Sequence, residues 1–129
     1  MPDDLPPALK QFVEQHIESV PQLEALLLLR RDPQRGWTAA EIAKELYVPE
    51  NASATLLVDL ARRGFVAAAP DGRSVYRSRS EEENKLIDEL AEVYRQRRVA
   101  VISLIYSKPL NKVQTFADAF RFSKENPSP

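Results

Sequence analysis

The chain has 129 residues, with 18 basic and 19 acidic side chains, a net charge of −1, no cysteine and a single histidine. That length suits one domain with a substantial core, and without cysteine there are no disulfides or thiolate metal ligands; with one histidine, no metal site is expected. The near-neutral balance excludes a surface that is basic throughout, so any anion-binding patch has to be local.

The opening "MPDDLPPALK" is acidic and proline-rich. The longest apolar runs, near residues 26–29 and 99–105, fall far short of the roughly 20 residues needed to span a bilayer, so the expectation is a cytoplasmic protein with no membrane segment. "ALKQFVEQHIESV" places Phe12, Val13 and Ile17 at helical spacing. Pro21 suits the first turn of a second helix, "QLEALLLLRRD", with Leu23, Leu26, Leu27 and Leu29 toward a core. Pro33 and Gly36 stop it, and Arg30 and Arg31 in its last turn complement the negative end of the helix dipole.

"WTAAEI" carries the best local start signal. Thr38 can cap the first amides while Glu41 reaches back to the cap, and Trp37 and Ile42 occupy the two positions of a hydrophobic staple. "AAEIAKELYV" continues this helix until Pro49 forces Val48 into extended geometry and opens the next. That next helix, 49–63 in "PENASATLLVDLARRGFV", closes at Gly64. "FVAAA" and "SVYRS" flank "PDGR", a hairpin over 65–78 in which Asp71 and Gly72 can take positive φ. From Ser80, with acids at Glu81, Glu82 and Glu83, a long helix carries Leu86, Leu90, Val93, Tyr94, Val101 and Ile105 on one stripe. Unbroken to Ser107 it would measure about 40 Å. Pro109 ends it, and "NKVQTFADAFRF" offers a short helix with Val113, Phe116 and Phe120 in register before "SKENPSP".

The expected fold is mainly α with a small two-stranded β-hairpin: a winged helix-turn-helix domain with N-terminal helices over 1–79, a helical dimerisation or interaction segment over 80–122 comprising the long helix and the short terminal one, and a disordered tail over 123–129. The motifs "TAAEIAKEL", "VP" at the next helix, "LLVDLARRGFV" with Leu57, Leu60 and Gly64, and a hairpin of normal wing length together resemble bacterial winged-helix transcriptional regulators of the broad MarR and ArsR type. The resemblance covers roughly half the chain. It implies that the 49–63 helix enters the major groove of double-stranded DNA while the hairpin, as a wing, brings Arg73, Tyr76 and Arg77 to phosphates or the minor groove.

If Leu57, Leu60 and Gly64 face inward, a step of 100° per residue turns Asn51, Ala52, Thr55, Val58, Asp59 and Arg62 outward. Asn51 and Thr55 can hydrogen-bond bases or phosphates, Ala52 can meet a thymine methyl, and Arg62 and Arg63 can meet phosphate, whereas Asp59 repels it unless paired. From Arg30 to Arg79 there are nine basic and six acidic residues, and from Glu81 to Glu92 six acids face one lysine, a split compatible with a DNA-facing half and a dimer-facing half. A twofold homodimer through Leu86, Leu90, Val101, Ile105, Phe116 and Phe120 would cover the C-terminal apolar stripes. The alternatives are that Val113, Phe116, Phe120 and Phe122 fold back as a lid, or that the C-terminal helices engage a different protein.

No nucleophile elbow, phosphate-binding glycine loop or metal-ligand pair is present, so neither an enzyme nor a cofactor is expected. The rival to a regulator is a winged-helix protein-interaction module with little DNA affinity, docking through Val58 and Asp59. A regulator depends on Arg62 more than on Val58, and a docking module shows the reverse.

Overall fold

The computed structural model describes residues 5–107. Among these residues, six helices and a two-stranded antiparallel hairpin form a winged helix-turn-helix. Helix α1 (Pro7–His16) starts with proline in its first turn and buries Leu9, Phe12 and Val13. Helix α2 (Val20–Arg31) starts at Val20, just ahead of Pro21, because Ser19 supplies the cap: its hydroxyl accepts from Gln22 N at 3.1 Å. Leu28 is buried alongside Leu23, Leu26 and Leu29, whereas Leu27 is only partly covered. This helix meets neighbours on several sides, so its apolar surface is wider than one stripe.

Helix α3 (Ala39–Leu46) begins at the expected capping box, with Thr38 Oγ1 accepting from Glu41 N at 3.1 Å and Glu41 Oε1 accepting from Thr38 N at 3.0 Å. Trp37 and Ile42 are both buried beside it. Helix α4 (Glu50–Arg62) packs Leu57 and Leu60 inward and buries Ser53, whose hydroxyl donates to Ala39 O at 2.7 Å and ties the two helices of the motif together.

The chain leaves α4 through Gly64 at φ +90°. Gly64 N–H bonds to Ala61 O and Phe65 N–H to Leu60 O, a pair of bonds that satisfies the last carbonyls and requires a left-handed residue at Gly64. Strands β1 (Val66–Ala68) and β2 (Ser74–Tyr76) follow, with Val66 opposite Tyr76 and Ala68 opposite Ser74. At the hairpin tip only Gly72 takes a positive φ, at +85°. Asp71 keeps a negative φ because the loop is Pro70, Asp71, Gly72, a turn with proline leading and glycine as the left-handed third residue, not a two-residue turn. Trp37 adds a one-residue bridge to Ser74, with N–H···O bonds of 2.8 Å in both directions.

Helix α5 (Glu81–Gln96) is capped by Ser80 and carries the three expected acids in its first turn. The continuous helix expected to Ser107 divides at Arg97 (φ −132°, ψ 54°), and helix α6 (Arg98–Tyr106) sets off in a new direction. Neither proline nor glycine marks the break. Its effect is to bring α6 back against α1, so that Val101 and Ile105 join Leu90 in one core instead of projecting past it. No helix among the described residues is long and apolar enough to cross a membrane. The expected short helix around Val113, Phe116 and Phe120 lies outside the described residues.

Candidate nucleic-acid interface

On α4 the exposed positions are Glu50, Asn51, Ala54, Thr55, Val58, Ala61 and Arg62. Ala52 is half-buried, so the outward methyl belongs to Ala54. Asp59 is not a bare charge on this face. Its Oδ2 accepts from the Gln22 side-chain amide and from Arg63 Nε, the latter at 3.0 Å.

Arg63, expected to face phosphate, is engaged within the chain. Besides Asp59 it pairs with Glu18 at 3.0 Å and donates to His16 O at 3.1 Å, and its side chain is only 20% exposed. Burial works against its charge, but the two carboxylates more than compensate and keep the guanidinium protonated. Asp59, Glu18 and Arg63 thus form one ion cluster within the chain, leaving Arg62 as the basic residue that projects from α4.

The wing is sorted in the same way. Arg73 lies back over the start of α3, donating to Glu41 Oε1 at 3.1 Å and approaching Asp71 at 3.5 Å. Gly36 makes room for it, since a Cβ there would stand 2.8 Å from Arg73 Cβ. Tyr76 turns inward and donates to Asn84 Oδ1 at 2.7 Å; burial and the nearby Asp88 carboxylate push its phenol up to about 12, so it stays neutral. Arg77, by contrast, is exposed, and among the described residues its side chain has no partner.

Two contributors escaped the sequence reading. Lys44 on α3 is exposed and, among the described residues, unpaired. Tyr47, in the turn between α3 and α4, is 94% exposed and sits in left-handed geometry at φ 58°. That conformation and the exposure of an aromatic ring both cost free energy, and neither serves the core. The available signal was its position: in "ELYVP" it follows Leu46, the last inward residue of α3, and precedes the proline-fixed turn. Lys44 on α3, Arg62 on α4 and Arg77 on the wing are thus exposed positive charges, and the exposed surface of α4 is rich in methyl groups. Glu50 stands in the first turn of that helix, against the positive end of its dipole.

Of the residues expected at a subunit interface, Leu90, Val101 and Ile105 are fully buried in the chain's own core and Leu86 packs against that core. Side chains already enclosed cannot also supply a contact surface. Phe116 and Phe120 lie outside the described residues. The large apolar side chains left exposed on α6 are Val99 and Tyr106. Among the described residues, no group of three or more histidine, aspartate or glutamate side chains could hold a metal ion.

No protein-family model matches the chain, and no curated protein matches it. Solved structures do resemble it in fold. A MarR family protein from Bacillus stearothermophilus aligns with a TM-score of 0.50 and 20% identity, over 95% of this chain and 84% of that one. MepR, a transcription regulator of the Staphylococcus aureus multidrug efflux pump MepA, aligns with a TM-score of 0.50 and 19% identity, over 90% and 87% of the two chains. A MepR variant bound to an oligodeoxyribonucleotide gives a TM-score of 0.50 and 18% identity, over 90% and 86%. The identities are low, and the likeness is one of fold.

Proposed function

We propose that this chain is a DNA-binding transcription regulator that works as a homodimer, with α4 in the major groove and the hairpin as a wing. The observation that carries the reading is the sorting of charge around α4. Asp59, which would repel a phosphate, is ion-paired with Arg63 and hydrogen-bonded by Gln22, while Lys44, Arg62 and Arg77 remain available on α3, α4 and the wing. Support comes from the shared fold of a MepR variant solved with an oligodeoxyribonucleotide. The contacts on this reading are Asn51, Thr55 and Arg62 from α4, Arg77 from the wing and Lys44 from α3. Arg63, Arg73 and Tyr76 act one step back, holding α4 and the wing in place.

The test is selection of bound fragments from random double-stranded DNA, followed by affinity at several salt concentrations. Three available cations per chain, taken twice in a dimer, give about six phosphate contacts and a slope of log affinity against log salt of about −5. An unenriched pool, with binding indistinguishable from nonspecific, would defeat the proposal. It would favour the docking-module reading, for which the exposed Tyr47 and Val58 are the supporting observation.

A further inference from the structure

Resting on that reading, we infer that α4 selects a half-site in which thymine dominates, recognised through the C5 methyl groups in the major groove. The inference comes from what the outward side chains still have to offer once their internal bonds are counted. Asn51 Oδ1 already accepts from Ala52 N at 2.9 Å, so toward a ligand Asn51 presents its amide donors. Thr55 Oγ1 donates to Asn51 O at 3.0 Å, which spends its hydroxyl proton and leaves its methyl and its lone pairs. Arg62, at the far end of the face, is the next side chain with donors.

Between Asn51 and Arg62 the exposed groups are the methyls of Ala54, Thr55, Val58 and Ala61, with Val58 60% exposed. From Ala54 to Ala61 the helix advances roughly 10 Å, about three base pairs of duplex. Over that span no exposed side chain has a donor for the O6 of guanine, and the groups able to accept from the amino group of cytosine are the lone pairs of Thr55 and the Oδ1 of Asp59, which is only 26% exposed. Covering those polar edges with methyl groups strips them of water without replacement and is unfavourable. The thymine methyl is the one apolar group on the major-groove edges, and it suits this surface. The exposed cations Lys44 on α3, Arg62 on α4 and Arg77 on the wing supply the charge complementarity that makes a nucleic acid the occupant.

The experiment uses the full chain and duplexes selected from random DNA, each compared with a copy carrying uracil in place of thymine, which removes only the C5 methyl. Selected half-sites should carry at least two thymines in a three-base-pair block. Uracil should weaken binding roughly three- to fourfold for each contacted methyl, with the salt slope unchanged. Val58 is exposed enough for Val58→Ala to leave the fold intact, and this variant should lose part of the uracil sensitivity, which assigns the contact to that side chain. Binding that persists with uracil, or half-sites dominated by G·C pairs, overturns this inference and leaves the DNA-binding reading standing. Failure to bind any selected duplex overturns both.

Discussion

Arg62 and Arg63 are adjacent in the chain and opposite in setting, and the contrast is testable with two single substitutions. Arg62 projects from α4 without a partner among the described residues, whereas Arg63 holds Asp59, Glu18 and the His16 carbonyl. On the proposed function, Arg62→Ala should flatten the salt slope by about two in a dimer, with the melting temperature unchanged. Arg63→Ala should do the reverse: it leaves two carboxylates short of a partner, at a cost of about 1–3 kcal/mol in denaturant unfolding, with little change in slope. Equal effects of the two variants on the slope would remove the distinction. Helical phase sets Arg62 opposite the buried side and Arg63 at its edge, but it could not show that Arg63 is paired. The deciding partner, Glu18, lies 45 positions away, before α2, and long-range pairing leaves no periodic trace. Asp59, turned outward by phase, is paired through Gln22, 37 positions away, and through Arg63 on the next turn, whereas Asn51, Thr55 and Val58 follow from phase alone.

At the scale of elements, the end of α4, the base of the wing and the start of α5 meet at one ion pair. Arg79 donates to both carboxylate oxygens of Glu83 and also reaches His16 Nε2 at 3.2 Å. It lies over Gly64, where a Cβ would stand 2.8 Å from its Cδ, so the glycine serves both the turn and the passage of this side chain. Burial pushes the Glu83 carboxyl up, but hydrogen bonds from the Arg79 side chain and backbone, with its charge, prevail and hold it below the ordinary value of 4.5. A carboxyl lowered in the folded state stabilises at pH above its unfolded value, and that contribution is lost as pH falls through the folded one. Glu83→Gln should therefore be less stable than the parent near neutral pH, with the two urea midpoints converging on acidification below about 4.5; parallel curves would show that the pair is not what titrates. Local signals made most elements legible here: the capping box at Thr38 and Glu41, the Ser80 cap, Pro49, Gly64 and Gly72 are all short-range. The break at Arg97 was not legible, because no residue type encodes it and the packing of α6 on α1 decides it.

For the whole molecule, that break redefines which surface remains for a second copy. A continuous helix would have aligned Leu90, Val101 and Ile105 as one outer stripe; the turn at Arg97 instead folds all three into the core of the single chain. The opposite side of α6 presents Val99, 76% exposed, and Tyr106, 68% exposed, with half-buried Ile102 between them. Positions 99, 102 and 106 follow helical spacing, so they form one stripe whose ends, Val99 and Tyr106, the described residues leave exposed. Under the proposed function this stripe is the described part of a twofold interface, and a twofold pair is what places two α4 helices one turn of DNA apart, about 34–36 Å. The parent should scatter light as twice the 14.6 kDa of one chain at micromolar concentration. The double variant Val99→Asp, Tyr106→Asp should scatter as one chain, keep its helical circular dichroism because both side chains lie outside the core, and lose most of its affinity for a two-half-site duplex while holding a single half-site weakly. A parent that scatters as one chain would sink the dimer. A variant that stays dimeric would move the interface to another surface, since the core side of α6 is already occupied.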